Sequence, residues 1–262
     1  MSNYLTSESI SVSANNLGSP LDFIVLDECK STNDEVAKMI GNRPLPFVVV
    51  AKKQTSGRGR MNRSWFSFEG ASICFSLACD VSKCSADVLA SATVRVGIAV
   101  CSKLNKICNA PLFLKWPNDI YDSQGRKIGG MLAELKQTEQ GYVVVFGIGL
   151  NYDFSDLDAQ IPQEIRTMIA DLRSRLCDSF NSSDVLVACS ESTVKELERV
   201  DMQSLSGFSK IDWLKGKRVD VSVGNRNFSG IADGINERGN LRVLLSDGSI
   251  EFVNSGEATL HK

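Results

Sequence analysis

Histidine is nearly absent from this 262-residue chain; the only one is His261, beside the C-terminus. A Ser-His-Asp or Cys-His arrangement therefore has no base to draw on in the body of the sequence, and no GxSxG elbow is present. The eight cysteines (Cys29, Cys74, Cys79, Cys84, Cys101, Cys108, Cys177 and Cys189) include no CxxC spacing. Without that spacing or further histidines they do not make a zinc knuckle, and they read as free thiols of a reducing compartment. Neither GxxxxGK[ST] nor a GxGxxG at a helix start occurs, so the two common glycine-rich nucleotide loops are missing. Apolar runs stay short of the roughly 18 to 20 residues that a membrane-spanning helix needs. Charge of one sign is lacking too, with 29 basic against 31 acidic residues and a net charge of −2. That balance excludes the diffuse positive field of a non-specific nucleic-acid binder. The first twenty residues are polar and serine-rich, without the basic start and apolar core of a secretory signal. They predict a disordered tail over 1–20 and a cytoplasmic protein, with an organellar address left open.

What is present is an ordinary globular composition, 43% apolar, enough for one large domain or a large and a small one. "LDFIVL" from Leu21 reads as a strand, and "STNDEVAKMI" as a helix with Thr32 as N-cap and Glu35 three residues on. The β-branched run "FVVVAK" predicts a buried strand, and "ASICFSLACD" another. A long helix is expected over Ser85 to Lys106, with Arg95 and Lys103 on its surface side. Strands follow at "LFLKW", "GGMLAELKQ" and "YVVVFGIGLN", then helices near Asp184 to Val200 and Phe208 to Leu214. This order predicts an α+β domain over 21–212, a mixed sheet with helices packed on one face. Short strands separated by "NERGN" and "SDGS" predict a small β-barrel over 213–262.

Four stretches can carry chemistry. "QTSGRGRMNRSW" (54–65) combines three arginines with two glycines and has no acid. Glycine lets backbone N–H groups approach an anion, and Arg58, Arg60 and Arg63 supply planar forks suited to carboxylate or phosphate. A solvated basic loop, or one that contacts an RNA backbone, fits the same residues. In "LKWPNDIYD" a turn presents Asn118, which can read a heterocycle edge, and Asp119, which can hold Mg²⁺ or orient an amine; a plain Asn-Asp turn is the alternative. In "RKIGGMLAEL", Lys127 precedes Gly129 and Gly130, either a ligand slot with a cation beside it or a bulged edge strand. In "FGIGLN", Gly147 and Gly149 fall on one face of a strand that ends at Asn151, clearing space for a ligand or for tight helix packing.

Together, "STN" (Ser31 to Asn33), "QTSGRGRMNRSW", "KWPND", "KIGGMLAE" and "GIGLN" occur in the order found in the biotin protein ligases, and the chain resembles that family from about Leu21 to Asn151. The segment from about Trp213, closing on "GEATLHK", resembles the family's small SH3-like barrel. The resemblance implies a class II synthetase-like fold and a two-step reaction: biotin and ATP give biotinyl-5'-AMP and pyrophosphate, and a lysine of a biotin carboxyl carrier domain then takes the biotin. By matching positions, Ser31, Thr32, Asn33 and Gln54 would meet biotin, with Gly57, Gly129, Gly130 and Gly147 lining its slot. Arg58, Arg60 and Lys127 would serve both the biotin carboxylate and the α-phosphate. Gly59, Arg63, Trp65, Asn118 and Asn151 would lie on the adenylate side, and Asp119 would hold Mg²⁺ or orient the incoming lysine.

The loop departs from the family at Met61 and Asn62, where glycine and basic residues are common, and His261 stands where an arginine is common. About twenty residues precede the catalytic region, which argues against the DNA-binding domain of bifunctional members and hence against repressor activity. Monomers and homodimers both occur in the family. Lipoate or octanoate ligases of related fold are the nearest rival, but they usually carry a histidine in the acyl-binding motif. An RNA- or protein-binding module is the non-enzymatic rival.

Overall fold

In the computed structural model, which describes residues 5–157, 161 and 163–261, the run Phe47–Gln54 forms an interior strand with both its faces covered. Val48 and Val50 point to one side with Phe75 and Leu77, whereas Phe47 and Val49 point to the other with Val36 and Val145; all are fully buried. A strand sealed on both faces needs a continuous apolar run rather than alternation.

In chain order the first elements are α1 (Ser7–Leu17), β1 (Asp22–Cys29), α2 (Thr32–Met39), β2 (Phe47–Gln54), the short β3 (Gly57–Arg58) and β4 (Ser64–Trp65), and β5 (Ser72–Asp80). There follow α3 (Ala86–Ala90), α4 (Ala92–Leu104), β6 (Leu112–Lys115), β7 (Asp119–Asp122), β8 (Lys127–Thr138), β9 (Gly141–Asn151), α5 (Gln163–Arg166) and α6 (Ser182–Leu197). Seven strands form one mixed sheet in the order β1-β2-β5-β9-β8-β7-β6, with β1 parallel to β2 and the other neighbours antiparallel. The longer helices α4 and α6 pack on one face over the main core, and the short α2 covers part of the other. Strands β10 (Arg218–Val223), β11 (Arg226–Ile235), β12 (Leu241–Leu244), β13 (Ile250–Val253) and β14 (Glu257–Leu260) make a second, antiparallel sheet ordered β13-β12-β11-β10-β14. The Trp116 indole donates to Gly239 O at 3.0 Å and ties this sheet to the larger one.

Several local readings are corrected. Residues 7–17 of the expected disordered tail are a helix, with Thr6 and Ser9 in a capping box and Gly18 at φ 67 closing it. Leu5, Ile10 and Ala14 are buried, and Ser9 bonds Ser183 of α6 at 2.8 Å. The cause is a narrow apolar stripe, Ile10 and Ala14 four residues apart with Leu5 just ahead of the helix, hidden among serines that cap and dock it; residues 1–4 lie outside the described residues. The N-cap of α2 is Ser31 rather than Thr32, and it makes no side-chain cap bond. The Thr32 hydroxyl is instead turned inward, toward Gln54 and Ser76.

The expected long helix breaks at Ser91, whose hydroxyl returns to Val88 O at 2.9 Å. Arg95 is not on the surface: it is 1% exposed and donates to Glu196 Oε1 at 2.9 Å and to the carbonyls of Glu196 and Asp201. A buried guanidinium is tolerable only when paired and hydrogen-bonded in this way. The expected helix at 208–214 is a 3-10 segment, Gln203–Lys210.

Candidate active site

The turn from β1 into α2, the end of β2, the 54–65 loop and the starts of β7 and β8 converge on one cavity of about 150 Å³, closed on one side by Gly256 and Glu257. Of the residues singled out above, Ser31, Thr32, Asn33 and Gln54 line one end, and Asn118, Asp119, Lys127 and Gly130 line the other. The loop contributes Arg58, Gly59, Arg60, Arg63 and Trp65, and Gly147 lies on the floor.

Three of the expected residues stand behind the cavity rather than on it. A Cβ on Gly57 would come within 2.5 Å of Trp65 O, so its bareness lets β3 and β4 close on each other. A Cβ on Gly129 would meet Leu150 Cδ2 and Gly149 O at 2.6 and 2.8 Å, which is strand packing. Asn151, 7% exposed, donates to Lys127 O at 3.0 Å and Ala170 O at 3.2 Å, and so fixes the backbone from which Lys127 projects.

The first end is neutral and polar. Gln54 Oε1 accepts from Thr32 N at 2.7 Å, the Thr32 and Ser76 hydroxyls lie 2.6 Å apart, and Ser76 donates to Asn33 Oδ1 at 2.6 Å. Thr32, Asn33 and Ser76 are 3%, 4% and 0% exposed. Gly147 stands opposite Ser76 across β5 and β9, and its missing side chain is the space that the Asn33 amide fills.

The second end is cationic, and Lys127, Arg60 and Arg63 each have a polar partner. Lys127 Nζ lies 2.8 Å from Asp119 Oδ1; on Gly130 a Cβ would approach Asp119 Oδ1 to 3.0 Å and Lys127 Nζ to 3.2 Å, so that glycine makes room for the pair. Arg60 donates to Asn118 Oδ1 at 3.2 Å and to Gly256 O at 3.4 Å, and burial pulls its pKa down. Arg63 holds Glu257 in a two-pronged contact that includes a 2.6 Å bond and keeps the glutamate below its usual range. Arg58 also lines the cavity and lies 2.7 Å from both oxygens of Asp34 and 3.4 Å from Glu134. Trp65 packs against Gly149, where a Cβ would run into the indole ring, with Lys127 Nζ 5.6 Å from the ring centre.

Sequence reasoning missed Lys115, Asp34, Glu134 and Ser76. Lys115 lines the cavity, and burial lowers its pKa although Asp119 and Glu257 pull the other way. Its place immediately before the Trp-Pro-Asn-Asp turn was the available signal. A serine inside "SICFSLACD" and a glutamate inside "GMLAEL" give no local sign that they face inward.

A cavity with a neutral, hydrogen-bonding end and a cationic end, on a mixed sheet and beneath an arginine loop, suits a ligand that joins a polar group to an anion. Residues 26–151 match the Biotin/lipoate A/B protein ligase family, and residues 215–260 match the Biotin protein ligase C terminal domain. With both parts present in that order, the chain belongs to the biotin protein ligase family. It is 29% identical to the biotin--[acetyl-CoA-carboxylase] ligase of Mycobacterium tuberculosis, over 90% of this chain and 88% of that protein. It is 28% identical to the bifunctional ligase/repressor BirA of Escherichia coli, over 90% of this chain and 73% of that protein. The solved biotin protein ligase of Aquifex aeolicus, in complex with biotin and ATP, superposes with a TM-score of 0.75 at 27% identity and covers 92% of this chain and 99% of its own.

Proposed function

We propose that the protein joins biotin to ATP, releasing pyrophosphate and holding biotinyl-5'-AMP, and then passes the biotin to a lysine of a biotin carboxyl carrier domain. The observation that carries this reading is the polarity of the cavity: Thr32 and Gln54 at a neutral end, and Lys127 with Arg60 at a cationic end. A ureido ring with a carboxylate tail matches that order, and the lipoate alternative supplies no group that needs the polar end.

The barrier to the first step is the approach of two anions, a carboxylate and an α-phosphate. At about 4 Å two unit charges repel by about 1 kcal/mol in water and by several times that at a partly buried site. Lys127 and Arg60 offset that repulsion. Asp119 holds Lys127 in place until a substrate anion replaces it, and Asn118 does the same for Arg60. Trp65 and the loop cover the anhydride and keep water from it.

Mg²⁺ fits the donor set in one way. Among the described residues no group of three His, Cys, Asp or Glu side chains forms a cage, so Asp119 would hold the ion together with phosphate oxygens and water, a common arrangement for Mg²⁺ with nucleotides. Bound there, it would offset phosphate charge. Among the described residues no helix is long and apolar enough to cross a membrane.

The test is biotin-dependent exchange of pyrophosphate into ATP, with lipoate and octanoate in parallel. Exchange with biotin alone is expected, and Lys127→Ala should lower it by at least about 100-fold. Exchange with lipoate or octanoate, or with none of the three, would overturn the assignment.

A further inference from the structure

The neutral end of the cavity is part of a buried chain of hydrogen bonds that ends on a charge. Glu134 of β8 accepts from Asn33 Nδ2 at 3.0 Å and also meets the Arg58 guanidinium at 3.4 Å. The next contacts inward are Ser76 to Asn33 Oδ1 and Thr32 to Ser76, both 2.6 Å, and Thr32 Oγ1 also lies 3.1 Å from Gln54 Oε1.

Counting protons gives the chain a direction. The carboxylate of Glu134 only accepts, so Asn33 must turn its NH₂ toward it and its Oδ1 toward Ser76. Ser76 must then donate to Asn33, because two acceptor oxygens 2.6 Å apart would repel. The Thr32–Ser76 contact, also 2.6 Å, needs a proton as well, and only Thr32 has one left. The longer 3.1 Å approach to Gln54 Oε1 goes without, since that oxygen already takes the Thr32 backbone N–H at 2.7 Å. Each hydroxyl has one proton, and both are committed away from the cavity.

Resting on the biotin reading, we infer that Ser76 and Glu134 are positioning residues that make the Thr32 hydroxyl an acceptor only, so that the cavity selects a ring presenting an N–H at that point. Thr32 lines the cavity and has lone-pair capacity to spare. A chain that runs into a carboxylate is polarised along its length, which strengthens Thr32 as an acceptor. Arg58 of the 54–65 loop meets Glu134 at the far end, so the charge that fixes the polarity is shared with the loop. The selected class is a cyclic urea; a cyclic carbamate or a thio-ring without the N–H would place an acceptor against an acceptor.

The probes are biotin and two analogues in which one or the other ureido N–H is replaced by oxygen, run in biotin-dependent pyrophosphate exchange. The wild type should use the analogue whose oxygen faces Thr32 with kcat/KM lower by about 100-fold or more, as expected where a buried polar group is left facing a like group. Ser76→Ala frees the Thr32 proton. It should raise KM for biotin by about 10-fold, leave kcat within about 3-fold, and narrow the discrimination by about 10-fold. Glu134→Ala, which leaves Asn33 free to turn over, should do the same from outside the core. Unchanged KM and unchanged discrimination in both variants would overturn the inference while leaving the biotin assignment standing. A wild type inactive with biotin would instead overturn that assignment, and this inference with it.

Discussion

The floor of the site and its roof are built on opposite terms. The floor residues Thr32, Asn33 and Ser76 are at most 4% exposed, and each hydroxyl or amide is bonded to the next. The roof, residues 58–65, is mostly exposed or half-buried; Met61 and Asn62 sit at φ 54 and 59, a left-handed backbone that asparagine tolerates but that strains methionine. Two of its guanidiniums contact partly exposed acids, Arg58 on Asp34 and Arg63 on Glu257, pairs that are individually weak in water. The difference teaches how the site divides its work. Recognition of a neutral ring needs buried groups whose direction cannot change, whereas capture of an anion needs cations that can exchange one partner for another.

Three substitutions probe that division, beginning with the largest expected effect. Gly147→Ala puts a methyl group into the space of the Asn33 amide and should break the floor as a unit. Overpacking of this kind costs about 1 to 3 kcal/mol, so KM for biotin should rise by about 10- to 100-fold with little change in the KM for ATP. Steady-state exchange kinetics read both. Arg60→Gly removes a roof cation and leaves the floor intact. Biotin should still bind, but biotinyl-5'-AMP should escape about 10-fold faster, the order expected for one charge-assisted contact; rapid filtration of the enzyme after incubation with biotin and ATP measures this. Met61→Gly removes a strained backbone position at the price of about 0.5 to 1 kcal/mol of chain entropy, so the two effects nearly cancel. Retention of the adenylate should change by no more than about 3-fold, and a large loss would mean that the Met61 side chain itself seals the site.

The roof was easier to see in the sequence than the floor. Three arginines close to two glycines, and a lysine before two glycines, are visible because such residues are unusual in a row and have few structural uses. Fold class followed from continuous apolar runs such as "FVVVAK", which only a strand covered on both faces needs. Ser76 and Glu134 were invisible for the opposite reason. Their neighbours read as ordinary strand, and only the pairing of β5 with β9 and β8 with β9 brings them around Asn33. Arg95 and α1 were misread because a charge or a serine normally marks the surface. Here the charge is matched by Glu196 and the serine by Ser183, residues about one hundred positions or more away.

The measurement that bears most directly on a rigid floor beneath a movable roof is amide hydrogen exchange of the protein alone and with biotin plus ATP. Slow exchange at residues 72–80 and 143–151 in both states is predicted, with residues 54–65 exchanging fast when free and becoming protected only with both substrates. Equal protection of the loop in both states, or protection that appears at the floor instead, would contradict the account.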